Sequence, residues 1–173
     1  MKILVISGSR RIPSYSRVLA GLAHDYAREK HSEVALLDLA TSPIENFRGF
    51  EAEYGEDTLE IVRQVTAADI FIICCPIYDG LLSSGVKNLF EFVDYKDLEG
   101  KLAGFALMSK GRISYLQVQG QLQALMNYFR VLSNPRAAYV NQADFDENLN
   151  LVNKAMIARM KRLVDETVAM KRE

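Results

Sequence analysis

Short apolar runs alternate along this chain with longer segments in which apolar residues recur at helical spacing. The runs are rich in β-branched residues and leucine, and they predict five strands, at 3–6, 34–39, 70–74, 102–108 and 137–140. The helical segments lie at 14–30, 56–67, 83–95, 114–132 and 148–171. Strict alternation of strands and helices with short connections predicts a parallel sheet with helices on both faces. We therefore expect an α/β three-layer sandwich with a five-stranded parallel sheet.

One of the helical segments is ambiguous. Residues 116–124 have a period of two, as in a half-buried strand, but the continuation places Leu122 and Leu132 on one helical stripe, so a helix is predicted. Gly120 inside that helix costs about 1 kcal/mol relative to alanine. Gly120 either allows close contact with another helix or subunit, or is tolerated without such a contact. The last predicted helix includes Val152 on its apolar face.

The composition fits one globular domain over residues 1–173. The chain is 49% apolar and 25% charged, with a formal net charge of -1. A near-neutral chain does not have the basic composition typical of nucleic-acid binding. No stretch approaches eighteen apolar residues, and the start lacks the features of a signal peptide. We expect a soluble, unprocessed protein with no membrane or nucleic-acid partner.

The only two cysteines, Cys74 and Cys75, are adjacent in an apolar run. Adjacent cysteines cannot form a disulfide framework or a spaced metal site, so no metal is predicted and a reducing cytoplasm is the natural location. The pair could act as redox partners, but cysteines in a buried strand are usually small core residues.

The loop GSRRIPSYS, residues 8–16, follows the first predicted strand and leads into a helix whose predicted N-cap is Ser14 or Ser16. In an open α/β sheet, ligands bind outside the carboxyl ends of the strands. Free N–H groups and the positive end of the helix dipole would face this loop, and Ser9 and Arg11 add donors suited to phosphate. The alternative is a surface turn with a serine cap. Neither G-x-G-x-x-G nor the Walker pattern is present, so a monophosphate is favoured.

A second loop, CCPIYDG, follows the third predicted strand. Pro76 is predicted to end that strand, Gly80 permits unusual dihedrals, and Ser83 or Ser84 can cap the next helix. Tyr78 offers a flat face suited to a planar ring at the same sheet edge. The alternative is an aromatic turn that packs only on itself.

Together these two loops resemble a known family. The motifs are G-S-x-R-x-x-S-x-S and P-x-Y followed by K-N, here Gly8, Ser9, Arg11, Ser14, Ser16, Pro76, Tyr78, Lys87 and Asn88. They are similar to those of the NADPH-dependent FMN reductases, a family of flavodoxin-like proteins that includes small azoreductases and quinone reductases. The resemblance spans nearly the whole chain and implies a flavodoxin-like fold.

The resemblance also implies a set of FMN contacts. The phosphate would be held by Ser9, Arg11, Ser14 and Ser16, with Tyr15 also in contact with the cofactor. The ring would be lined by Pro76, Ile77, Tyr78, Asp79 and Gly80, and its pyrimidine end approached by Ser109, Lys110, Gly111 and Arg112. Two departures affect the ring: family members often have a glycine-rich stretch in place of SKGR, and glutamate or a similar polar residue in place of Ile77.

Four further residues have two interpretations each. Lys110 and Arg112 could meet the 2'-phosphate of NADPH, or they are solvated. Lys87 and Asn88 are expected to serve helix packing or a subunit interface, since the resemblance also implies a homodimer or homotetramer.

The resemblance implies that the protein is an FMN-dependent oxidoreductase. NADPH or NADH would pass a hydride to flavin N5, and a small acceptor (a quinone, an azo compound or free flavin) would then take the electrons in a ping-pong cycle. No residue is assigned as acid or base; backbone N–H groups near Asp79 and Gly111 would stabilise the reduced ring. Two alternatives stay open: a flavodoxin-type electron carrier, and a flavin-free binding or regulatory module.

Overall fold

The computed structural model describes residues 1–111 and 114–171, and its centre is a parallel sheet. Its elements in chain order are β1 (Ile3–Ser7), α1 (Tyr15–Arg28), β2 (Val34–Asp38), α2 (Glu56–Ala67), β3 (Ile70–Tyr78), β4 (Leu81–Leu82), α3 (Ser84–Glu91), α4 (Tyr95–Leu98), β5 (Leu102–Ser109), α5 (Tyr115–Tyr128), β6 (Leu132–Ser133), β7 (Ala138–Asn141), a 3-10 turn (Gln142–Asp144) and α6 (Lys154–Val168). The strand order is β2-β1-β3-β5, with β6 and β7 both paired to β5. Every pairing in this sheet is parallel except the short β3–β4 hairpin.

Each face of the sheet carries its own apolar cluster. Successive side chains of a strand point to opposite faces, so Leu4 and Ile6 pack with α2, α3 and α5, whereas Ile3 and Val5 pack with α1 and α6. All five residues of β1 are buried, which explains why its sequence is an unbroken apolar run. The predicted three-layer sandwich is confirmed.

The fifth strand is split into two pieces, which the sequence did not predict. β6 pairs with the start of β5 and β7 pairs with its end. Pro135 lies between the two pieces, and it has no N–H to continue a ladder. The helix predicted to reach residue 132 ends at Tyr128 instead; Arg130 has a left-handed φ of 55°, and Leu132 is 59% exposed in β6 rather than on a helical stripe.

The prediction that Pro76 ends the third strand was wrong, because β3 continues to Tyr78. The last bond from β1 is donated by Gly8 N–H to the Cys74 carbonyl, at 2.9 Å. Two residues further along, Pro76 turns its nitrogen to the same side, where β1 has already ended, while it still pairs with Met108 of β5. The missing N–H therefore costs the sheet no hydrogen bond.

The strand β3 turns back into β4 through a two-residue hairpin at Asp79 and Gly80. Both residues have positive φ, 50° and 77°, and Asp-Gly is the pair that such a turn favours. This turn could have been read from the sequence, and it explains the glycine at position 80.

The remaining corrections concern helix ends. The helix predicted at 148–171 begins at Lys154 with Asn153 as N-cap, so Val152 lies outside it and is 54% exposed. The helix predicted at 83–95 is divided into α3 and α4, because Asp94 caps a new helix. A Cβ added at Gly120 would have no heavy atom within 4 Å beyond its own helix backbone, so no close contact within the described chain requires this glycine.

A close approach between β5 and α6 does depend on a glycine. A Cβ at Gly104 would collide with the Thr167 hydroxyl and would lie 3.2 Å from the Leu163 side chain. Thr167 cannot easily move, since its hydroxyl donates to the Leu163 carbonyl at 2.7 Å and accepts from the Asn134 amide at 3.1 Å.

We predict that Gly104→Ala lowers the free energy of unfolding by about 1–3 kcal/mol, because the added methyl overpacks this contact. Urea denaturation followed by circular dichroism measures the change. Gly120→Ala is the matched control, and it should raise the free energy of unfolding by up to about 1 kcal/mol, since the helix is open there. A Gly104→Ala protein as stable as the wild type would contradict this packing.

Candidate functional site

A cavity of about 690 Å³ lies where the carboxyl ends of β1, β3, β5 and β7 meet. It is lined by Ser9, Arg11, Pro13, Ser14, Tyr15, Ser16, Pro76, Ile77, Tyr78, Asp79, Met108, Ser109, Lys110 and Gln142. The structure thus brings together residues from all three segments that the sequence singled out. Gly80 and Gly111 lie beside the cavity without lining it, and Arg112 lies outside the described residues.

The start of α1 supplies hydrogen-bond donors to this cavity. Ser14, one of the two predicted candidates, is the N-cap, and its hydroxyl accepts the Arg17 N–H at 3.4 Å. The N–H groups of Tyr15 and Ser16 have no acceptor within an α-helix. The Ser16 hydroxyl is buried and has no hydrogen-bond partner among residues 1–111 and 114–171. A buried polar group of this kind is costly unless something else satisfies it.

Close packing fixes the loop that precedes α1. Gly8 donates to the Cys74 carbonyl, and Ser83 Oγ donates to the Gly8 carbonyl at 2.6 Å. A Cβ at Gly8 would lie 2.5 Å from Val86 Cγ2, so only glycine fits between β3 and α3. Ser83, one of the two predicted candidates, is also the N-cap of α3.

Two arginines near this loop differ in their charge environment. Arg17 forms an ion pair with Asp38, with Nε 2.9 Å from the carboxylate. Arg11, in contrast, pairs with no carboxylate in the part of the chain that the structure describes. Its guanidinium lies 5.0 Å from the centre of the Tyr78 ring. Arg11 is therefore one cation with which an anionic ligand in this cavity can pair.

Tyr78 links the two loops. Its hydroxyl is 3.0 Å from Ser9 Oγ, and Ser9 Oγ also accepts the Arg11 N–H at 3.1 Å. The predicted flat wall for a planar ring is thus partly used within the protein, because Arg11 covers one face of Tyr78.

The opposite wall comes from the ends of β5 and β7. Ser109 is buried and its hydroxyl accepts the Gly111 N–H at 3.2 Å, so that N–H is engaged within the loop. Gln142, which was not predicted, follows β7 at the start of the 3-10 turn that Asn141 and Asp144 cap reciprocally. Met108 and Pro13 were also missed.

The comparison with known families is decisive here. Residues 1–145 match the family described as NADPH-dependent FMN reductase, which is most of the chain. The chain belongs to that family. It is accordingly an oxidoreductase whose cofactors are FMN and NAD(P)H.

Individual relatives agree with this assignment. An NAD(P)H-dependent FAD/FMN reductase of Geobacillus thermodenitrificans is 30% identical over 139 residues, covering 80% of this chain and 75% of the relative. An FMN-dependent NADPH-azoreductase of Staphylococcus saprophyticus is 23% identical, covering 98% and 94%. Family membership favours an enzyme over the electron carrier and the flavin-free module.

Solved structures show the same fold. An NADH:FMN oxidoreductase superposes with a TM-score of 0.83 at 18% identity, covering 99% of this chain and 91% of that one. A flavoenzyme NAD(P)H:acceptor oxidoreductase of Paracoccus denitrificans gives 0.78 at 17% identity, covering 97% and 95%. The predicted flavodoxin-like fold is confirmed.

Other residues of the reductase motifs have structural partners. Asn88 donates to the Glu45 carbonyl at 2.8 Å and accepts from Phe47 N–H at 2.9 Å, and Lys87 pairs with Glu91 at 2.7 Å. Asn88 therefore holds the β2–α2 loop against α3, in line with the packing role predicted for it. In the ranges 1–111 and 114–171, no helix of the reductase is both long and apolar enough to cross a membrane.

The two cysteines of the reductase are buried on opposite faces of β3. Burial raises the pKa of the Cys75 thiol to about 11, and it raises the pKa of Cys74 still further. Both groups are therefore neutral thiols near pH 7, and the described residues contain no cluster that could hold a metal ion.

We predict that neither cysteine reacts with Ellman's reagent in the native reductase at about pH 8, because each thiol is both protonated and buried. Unfolding in guanidinium should release two reactive thiols, which serves as the internal control. Rapid labelling of a native thiol would contradict the structural role and reopen a redox role.

Proposed function

We propose that the cavity binds FMN with its phosphate at the start of α1, and that NAD(P)H and a small acceptor react there in turn. The observation that carries this proposal is the buried Ser16 hydroxyl without a protein partner, next to two free N–H groups and the unpaired Arg11. These donors all suit one anion.

The donor set fits a phosphate monoester better than a carboxylate or a neutral ligand. Two helix N–H groups and the Ser16 hydroxyl can reach different oxygens of one tetrahedral group, and Arg11 adds a charge-assisted bond. The helix dipole adds to the attraction. Ser9 and Ser14 border the same position but already bond to Tyr78 and Arg17.

The rest of the cavity fits the flavin ring. Ile77 and Met108 supply apolar surface from β3 and β5, and the Asp79 turn and Lys110 supply polar groups at the rim. We infer that these walls exclude water from one side of the ring and leave the other side open for nicotinamide. The positive charge of Lys110 is available to the phosphates of NAD(P)H.

FMN bound here would supply the redox chemistry, which is hydride transfer from NAD(P)H and onward transfer of the electrons to a quinone, an azo compound or free flavin. The chain's own residues therefore bind and orient, and none needs to act as acid or base. The homodimer or homotetramer and the cytoplasmic location stay predictions.

We predict that Ser16→Ala weakens FMN binding by about tenfold or more, because one bond to a charged phosphate is lost. Binding of riboflavin, which has no phosphate, should not change. Without ligand, the variant should be as stable as the wild type or more stable, since an unsatisfied buried hydroxyl has been removed. Fluorescence titration and urea denaturation measure the two effects.

Ser133→Ala is the matched control for this variant. Ser133 Oγ is also buried without a partner in the described structure, but it lies in β6, outside the cavity. Its replacement should change stability in the same direction and leave both affinities unchanged. The phosphate site is wrong if Ser16→Ala binds FMN as tightly as the wild type.

For the loaded reductase we predict parallel lines in double-reciprocal plots of initial rate against NAD(P)H at several fixed acceptor concentrations. The reason is that both substrates use the same open side of the ring and must alternate. Lines that intersect to the left of the rate axis would show a ternary complex and would contradict the alternation.

A further inference from the structure

Three contacts among Ser9, Arg11 and Tyr78 form a closed network at the mouth of the cavity. Tyr78 Oη lies 3.0 Å from Ser9 Oγ, Ser9 Oγ accepts Arg11 N–H, and the Arg11 guanidinium stacks 5.0 Å from the centre of the Tyr78 ring. Tyr78 thus contacts both the Ser9 hydroxyl, which accepts the Arg11 backbone N–H, and the Arg11 guanidinium.

The two partners of this network differ in rigidity. Tyr78 ends β3 and is held by its pairing with Leu81 in the hairpin. Arg11 is exposed and forms no ion pair with the described residues, so stacking on Tyr78 is the contact that restricts its guanidinium. A free arginine side chain loses considerable rotamer entropy when a ligand immobilises it. An arginine that is already stacked loses less.

We propose that Tyr78 is a positioning residue that holds Arg11 and Ser9 in place for the phosphate before the ligand arrives. This inference rests on the proposed FMN site and deepens it. It gives Tyr78 a role toward the phosphate instead of the ring-stacking role that the sequence suggested. The hydroxyl acts through Ser9 and the ring acts through Arg11.

The test compares affinities for FMN and riboflavin in the full chain freed of flavin. Tyr78→Phe keeps the ring and removes the bond to Ser9, so FMN binding should weaken about threefold to tenfold. Tyr78→Leu also removes the stack under Arg11, and FMN binding should weaken about tenfold to fiftyfold. Riboflavin affinity should stay within twofold of the wild type in both variants, which a merely structural defect would not produce.

Tyr54 provides a matched control. Its hydroxyl accepts the Arg48 backbone N–H directly at 2.6 Å, and the Arg48 guanidinium lies 4.9 Å from its ring centre, so it is a comparable tyrosine–arginine pair outside the cavity. Tyr54→Phe and Tyr54→Leu should leave the ratio of FMN to riboflavin affinity unchanged.

A second comparison uses Arg11→Ala as the background. In that background, Tyr78→Leu should weaken FMN binding no more than Tyr78→Phe does, because the stacked guanidinium is absent. Circular dichroism establishes that each variant is folded, and Tyr78→Phe alone decides the hydroxyl's role if Tyr78→Leu does not fold.

Three results would overturn the proposal: unchanged FMN affinity in the Tyr78 variants, an equal loss for FMN and riboflavin, or the same Phe-to-Leu loss in the Arg11→Ala background. Failure of the proposed FMN phosphate site would give a different result from these three. In that case the wild-type chain itself would bind riboflavin as tightly as FMN.

Discussion

Every α-helix begins with backbone N–H groups that its own turns cannot satisfy, and at the start of α1 this constraint coincides with a buried hydroxyl. Ser14 satisfies one N–H of the first turn, while Tyr15 and Ser16 are left facing the cavity. The Ser16 hydroxyl adds a further unsatisfied donor. An anion is the ligand that satisfies all of them at once, and the chemistry of the site follows from that requirement.

The strand order places the start of α1 beside the other loops that line the cavity. Because β1 lies between β2 and β3, the loop after β1 opens next to the ends of β3 and β5. Gly8 and Ser83 hold that loop against β3 and α3, and Arg11, unlike Arg17, forms no ion pair with the described residues. The reductase therefore presents the Arg11 side chain and the start of α1 to the same cavity, which Lys110 also lines.

Much of this could be predicted from the sequence, for identifiable physical reasons. N-caps such as Ser14 and Ser83 could be predicted because capping depends only on neighbouring residues: the serine oxygen accepts a backbone N–H of the first helical turn. The order of strands and helices follows from the periodicity of apolar residues. Because the carboxyl ends of parallel strands lie at one edge of the sheet, the loops after the first and third strands are then expected to meet there. Eleven of the cavity-lining residues were named from the sequence, but five of them followed only from the resemblance to the reductase family: Tyr15, Ile77, Asp79, Ser109 and Lys110.

The features that were missed depend on the tertiary environment. Pro76 continues β3 only because β1 has already ended beside it. Pro135 splits the fifth strand, and the first piece, β6, begins at a residue that helical periodicity had assigned to a helix. Gln142 belongs to no motif, although its position just after β7 places it at the ligand edge. The pairing of Arg11 with Tyr78 depends on side-chain geometry across 67 residues of sequence, which no local pattern encodes.

A crystal structure of the reductase with FMN bound tests the central claim most directly. We expect the phosphate at the start of α1, with its oxygens within about 3.2 Å of the N–H groups of Tyr15 and Ser16 and of the Ser16 hydroxyl. The Arg11 guanidinium should lie beside it. A phosphate bound next to Lys110, or a flavin bound away from this edge of the sheet, would contradict the claim.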